Sequence, residues 1–287
     1  MFLQKLRKGE EKFFRVVMFL STLTIAMVLL LIIFSVLYKG LPSVSWEMLT
    51  QVPKGGFYFG REGGILNAII GSIYLSLGAT LLAFVVGLPV ALYMNVHLIR
   101  RQKLVNTIRF FLDLLWGIPS IVYGAFGFSI MIYLGLRVSL LAGIITVALF
   151  IIPIMVRSMD EVLKSVPRGL LEASLSLGST RSEISYIVFF KQCIPGIMTA
   201  VLLSFGRAIG DAASILFTAG FTDHIPTSLS QPTATLPLSI FFQLTSPIPE
   251  VQERAYASAV VLIAFILIIS ILSRIFSQRF NKNKIDF

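Results

Sequence analysis

The sequence predicts an all-α integral membrane protein with six transmembrane helices, and three observations carry that prediction. The chain of 287 residues is 56% hydrophobic and only 13% charged, with mean hydropathy +0.88, whereas a soluble domain carries about 25% charged residues. The charge is also clustered, so that long uncharged runs alternate with short basic segments. Those runs have the length that a bilayer core demands, about 20 apolar residues or more. The single cysteine, Cys193, forms no internal disulfide, and no CxxC or Cys/His cluster points to a metal.

The first apolar run, residues 16–38, follows Lys5, Arg7, Lys8, Lys12 and Arg15, a charge pattern that resembles the front of a signal peptide. It exceeds the 7–15 residues of such a core, and Val36-Leu37-Tyr38-Lys39 is a poor cleavage site, so it reads as a retained first helix. Residues 63–99 are too long for one straight span, and Gly87 and Pro89 are expected to kink it or end its regular part. Residues 110–135 form the third span, in which Gly117, Pro119, Ser120 and Gly124 either break the helix and expose backbone donors or make a packing kink. The fourth, 138–156, is closed by Arg157; the fifth is 192–221; the sixth, 255–273, is closed by Arg274.

Orientation follows from lysine and arginine. With the N-terminus cytoplasmic, the inner segments 1–15, 97–109, 157–191 and 274–287 hold about 18 of the 24 basic residues, leaving Lys39, Lys54, Arg61, Arg137 and Arg254 outside. Both termini are therefore expected in the cytoplasm. The net charge of +10 reads as a topology signal, with membrane lipid and no nucleic acid as its counterpart. The outer connection, roughly 221–254, is rich in Pro, Thr and Ser, while the inner one, 157–191, is charged and helical in pattern.

In that inner loop Val162, Leu163 and Val166, then Leu170, Leu171, Leu175 and Leu177, recur at helical spacing; Gly178 interrupts, and Ser182-Glu183 restarts the pattern. Two short amphipathic helices about a turn present an apolar ridge, which needs a protein groove or the lipid interface.

The fifth run contains GRAIGDAASILFTAG at 206–220. If its helix starts near Pro195, Arg207 lies about 18 Å along it, near mid-bilayer, where an arginine facing lipid costs from about 2.5 to well over 10 kcal/mol. Asp211, four residues on, shares its face on a continuous helix. Two readings follow: a self-neutralising packing pair, or a multi-donor site for an anion crossing the membrane, with Asp211 steadying the guanidinium. Asn67, Ser72 and Ser76 either line the path or bond between helices, and Ser120 either donates to an oxyanion or belongs to a packing kink. Arg109 and Asp113, four apart near the cytoplasmic boundary, read as a structural pair. His97 and His224 fall on opposite sides of the membrane, so no catalytic dyad arises.

Several segments carry a resemblance. Glu172-Ala173-Ser174, three residues, then Gly178 resembles the EAA coupling loop of ABC-importer permeases, with Ser174 in place of alanine and Phe190-Lys191 where that family has Leu-Pro. WGIPSIVYGAFG at 116–127, GGILNAIIGSIYLSLGATLLAFVVGLPVALYMN at 63–95, TLPLSIFF and the 206–220 segment are similar to phosphate ABC-importer permeases of the PstA type, over about residues 60–275. Asp211 stands where that family has glutamate.

The resemblance implies a type I ABC importer permease fold: 1–60 holding the cytoplasmic segment, first helix and external loop, 61–275 the core permease with its coupling loop at 157–191, and 276–287 a tail. It implies a phosphate importer subunit forming half of the pathway, with Arg207, Asp211, Ser120 and Asn67 along it and Glu172, Ala173, Ser174 and Gly178 coupling to an ATPase. The chain has no G-x-x-x-x-G-K-[ST] loop, so ATP and Mg are expected on a PstB-like ATPase dimer and no cofactor or metal in this chain. A second, PstC-like permease and an external PstS-like phosphate-binding protein complete the implied assembly. Alternatives are the same machine moving molybdate, tungstate, sulfate or phosphonate, and an anion channel or secondary transporter working without ATP, which leaves the coupling loop unexplained.

Overall fold

The computed structural model describes residues 2–54 and 62–281; Arg61 and residues 282–287 of the expected tail lie outside the described residues. Helix α1 (Phe2–Gly40) leads through a 3₁₀ turn into α2 (Trp46–Thr50) and a two-stranded antiparallel ribbon, β1 (Pro53–Lys54) with β2 (Glu62–Gly63). Then follow α3 (Leu66–Leu92), α4 (Gln102–Gly117), α5 (Ser120–Tyr133), α6 (Leu140–Lys164), α7 (Arg168–Ser176), α8 (Arg181–Glu183), α9 (Phe190–Ile209), α10 (Leu236–Leu244) and α11 (Pro249–Asn281). Among the described residues, five helical segments are long and apolar enough to cross a membrane, and α4 with α5, bent by 93°, makes a sixth if the pair is one span.

The centre is the seam between α3 and α6, with α9 against both. On α3, Ala68, Ser72, Ser76 and Thr80, then Ala79, Ala83, Gly87 and Ala91, recur every fourth residue, and all are buried. Small residues at that spacing let two backbones approach, which matters because lipid gives helices no hydrophobic reason to associate. Branched side chains of α6 fill the notches: a Cβ on Gly78 would lie 2.6 Å from Ile144, and one on Gly87 would lie 3.2 Å from Val156. Helix α1 packs beside α11 at the edge, its Phe19, Ile25, Leu30 and Phe34 exposed as a lipid-facing surface.

Three helices end elsewhere than expected, and the third span takes the broken form of its two expected ones. Helix α3 runs through Gly87 and Pro89 to Leu92 and ends in a π turn, Tyr93–His97. The third span is two helices, because Pro119 disfavours helical geometry at Ile118, which is extended (φ −72°, ψ 130°); Tyr123 Oη then donates to the Leu115 carbonyl at 2.9 Å across the break. The fifth helix stops at Ile209, and residues 210–235 do not continue it. Helix α6 also passes Arg157 and ends only at Lys164, so that Leu163 and Val166 join the core instead of an exposed ridge.

Candidate functional site

Arg207 lies in the last turn of α9 and is exposed on this chain. Its guanidinium sits over the Phe150 ring, 5.1 Å from the centroid. Phe150 lies ten residues into α6, about 15 Å from its N-terminal end and 21 Å from Lys164, so the charge stands near the middle of that helix. Phe150 is itself buried (2% exposed) and meets Tyr123 of α5 edge-on at 5.6 Å. A cation on an aromatic face contributes about 0.5–2 kcal/mol, more as water is removed.

The expected pairing of Arg207 with Asp211 does not form. The helix ends between them, and among the described residues no carboxylate lies within 4.0 Å of Arg207. Asp211 Oδ2 instead accepts the Ser214 backbone N–H at 2.9 Å and caps the turn that follows. Residues 214, 215, 218 and 219 are buried there. Irregular backbone at membrane depth survives only where protein satisfies it: Thr218 O accepts from Ser139 N at 3.0 Å, and Ala219 O from Thr233 N at 2.9 Å.

Asn67 and Ser72 hold the same segment from α3. Asn67, 1% exposed, donates through Nδ2 to Thr222 O at 2.7 Å, and Ser72 Oγ accepts from Leu236 N at 2.8 Å. Ser76 bonds back to the Ser72 carbonyl at 2.6 Å. Of the alternatives left open for these residues, the geometry favours structural bonding. Ser120 begins α5, half-buried, one turn before Tyr123. Gly124, on the same helix, lets α5 meet the irregular segment, since a Cβ there would lie 2.8 Å from Ser214 O. The structure thus gathers α5, Phe150 and Arg207, and leaves Asn67 and Asp211 as supports.

At the other end of α6, two residues separate Lys164 from the N-cap of α7. Glu172 and Ala173 are exposed, and Ser174 Oγ bonds back to Leu170 O at 2.7 Å. Gly178 turns the chain at φ +86°, a left-handed conformation with open space around it. Thr180 and Glu183 form a capping box that starts the next helix. Leu171 is buried while Leu177 is 87% exposed, so this elbow presents an unpartnered apolar tip. Arg181 anchors it to the π turn by donating to the Val96 and His97 carbonyls at 3.0 and 3.1 Å.

Above the elbow lies a cluster that the sequence reading missed. Asp160 is completely buried, yet it accepts from Asn95 Nδ2 (2.9 Å), Arg109 Nε (2.8 Å) and Nη2 (2.9 Å), and Arg157 Nη1 (3.0 Å), with Lys164 at 3.3 Å. Arg157 Nε reaches Asp113 at 2.7 Å and also pairs with Glu161, which takes Lys164 at 2.8 Å. Arg109 and Asp113 therefore bind α6 instead of each other, and the cluster of three cations and three anions is neutral. Ending the fourth span at Arg157 left Asp160 in a loop; the i,i+3 and i,i+4 spacings of Arg157, Asp160 and Lys164 were its legible signal. Phe150 had none.

Residues 87–282 match the family described as binding-protein-dependent transport system inner membrane component. The chain is 33% identical to the phosphate transport system permease protein PstA of Pasteurella multocida (strain Pm70) over 276 residues, 96% of this chain and 97% of that one. It is 34% identical to the PstA protein of Yersinia pestis over 250 residues, covering 86% and 83%. Among solved structures, an inward-facing MetNI methionine ABC transporter aligns with a TM-score of 0.62 at 19% identity, over 75% of this chain and 95% of that one. The architecture is that of a type I ABC importer permease, a multi-pass membrane subunit that works with an ATPase and a binding protein. Within that class, the chain belongs to the PstA family of phosphate transport system permeases.

Two stability predictions follow from these contacts. Asp160→Ala leaves the half-buried Arg109, Arg157 and Lys164 without this acceptor and costs about 1–3 kcal/mol, read as a drop in the unfolding temperature of the purified protein. Asp211→Asn keeps an acceptor for Ser214 N–H and stays close to the parent, whereas Asp211→Ala loses about 1 kcal/mol; equal stability of the two variants would remove the cap from the account.

Proposed function

We propose that this chain forms one half of the membrane pathway of an ATP-driven importer of inorganic phosphate. The observation that carries the reading is Arg207, an exposed guanidinium near mid-span with an aromatic seat and, among the described residues, no carboxylate partner. Uncompensated charge at that depth is expensive, and a passing oxyanion supplies the missing counter-charge through charge-assisted hydrogen bonds. The absence of a paired carboxylate leaves all the guanidinium donors for the anion. Ser120 adds a hydroxyl to the same path, while Asp211 and Asn67 shape its wall.

The remaining chain supplies the mechanical link. Helix α6 is continuous from the level of Phe150 to Lys164, and the elbow of α7, with Glu172, Ala173, Ser174 and Gly178, follows at once. A PstB-like ATPase dimer binding ATP and Mg docks on that elbow, a PstC-like permease provides the facing half, and a PstS-like protein delivers phosphate from outside. Displacement of the elbow on ATP binding moves the inner end of α6 and, through the Asp160 cluster, α4 with it. In this reading the chain breaks no bond, both termini are cytoplasmic, and residues 61–275 form the transport core between the first-helix region 1–60 and the tail 276–287.

With the complete importer reconstituted, Arg207→Gln lowers ATP-driven uptake of labelled phosphate by about 10- to 100-fold while ATP hydrolysis persists. Normal uptake by that variant contradicts the reading, and transport of molybdate or sulfate in place of phosphate by the parent overturns the cargo alone. Gly178→Ala strains the elbow by about 1–2 kcal/mol, so less ATPase co-purifies with the permease; an unchanged ratio of the two would show that the turn does not shape the docking surface.

A further inference from the structure

Resting on the reading of Arg207 as the anion-contacting group, we propose that Phe150 is a positioning residue for transport: its ring acts through its π-electron face to hold the Arg207 guanidinium poised for the anion. A mid-membrane arginine has two ordinary ways to be held. One is a carboxylate, which would occupy its donors and neutralise the charge that the anion needs. The other is a ring face, which attracts the cation through its quadrupole and consumes no N–H. Here the second is present, at 5.1 Å, and the first is absent among the described residues.

The ring is built to stay in place. It is 2% exposed, on a continuous stretch of α6, and Tyr123 meets it edge-on with centroids 5.6 Å apart and planes 61° apart. Tyr123 is fixed in turn by its hydrogen bond to the Leu115 carbonyl, on the far side of the 93° break. The guanidinium, the ring and the break in the third span thus form one connected series. A ring of the same size without the negative face would fill the same space and leave the arginine without its seat.

That distinction defines the test. Phe150 is replaced by mono-, di- and trifluorinated phenylalanines, which keep the ring shape and progressively withdraw charge from its face, and the same series is made at Phe126 of α5, an exposed phenylalanine. The readout is maximal phosphate uptake per ATP hydrolysed by the reconstituted importer at saturating binding protein, because substrate affinity at entry belongs to that protein. The proposal expects a stepwise fall, reaching about 2- to 20-fold at three fluorines, with assembly and ATP hydrolysis unchanged and no trend at Phe126. Uptake independent of fluorination at Phe150, beside a collapse in Arg207→Gln, overturns this inference and leaves the role of Arg207 intact. Normal uptake by Arg207→Gln overturns both.

Discussion

Inside a bilayer every backbone N–H and C=O must find its partner within the protein, and the course of residues 210–235 answers to that constraint. The fifth helix stops at Ile209, and the backbone groups beyond its last turn need other partners. The irregular segment is satisfied from within, by Asp211 on Ser214 N–H and Thr233 N–H on Ala219 O, and from its neighbours, by Ser139 N–H on Thr218 O and Asn67 on Thr222 O. The small-residue seam of α3 and α6 brings those elements close enough. Ending the helix there gives Arg207 a helix-terminal position and separates it from Asp211.

Charge inside the protein is handled in two opposite ways. At the C-terminal end of α6, Asp160 is surrounded by donors, and its cluster is neutral; such a cluster contributes little net stability but specifies which faces of α4 and α6 meet, since removing one partner costs far more than the whole is worth. At mid-span, Arg207 is left uncompensated and rests on a ring. A buried network that must be complete suits a structural joint. A charge held without neutralisation suits a site that something else must complete.

Much of the fold was legible. The spans and the elbow at Gly178 followed from apolar run length and glycine position. The errors share a cause: a linear reading assigns each charge to the nearest apolar boundary. Arg157 therefore closed a span that continues to Lys164, Asp160 went to a loop, and Arg109 and Asp113 were paired with each other when their partners lie 51 and 44 residues away. The Arg207–Asp211 pair presumed an unbroken helix, and no local signal in AIGDAAS marks its end decisively. Phe150 is one of 24 phenylalanines, and only the tertiary fold distinguishes it from lipid-facing bulk.

The proposed role of Arg207 requires position 207 to face an aqueous pathway and not lipid or a sealed core. In a Cys193→Ser background, Arg207→Cys in the assembled importer is exposed to a membrane-impermeant, charged thiol reagent during ATP-driven cycling, beside Leu267→Cys on the outward face of α11. The account predicts that the thiol at 207 is modified much faster than the one at 267. Modification at 207 no faster than at 267, in resting and cycling importer alike, would contradict it.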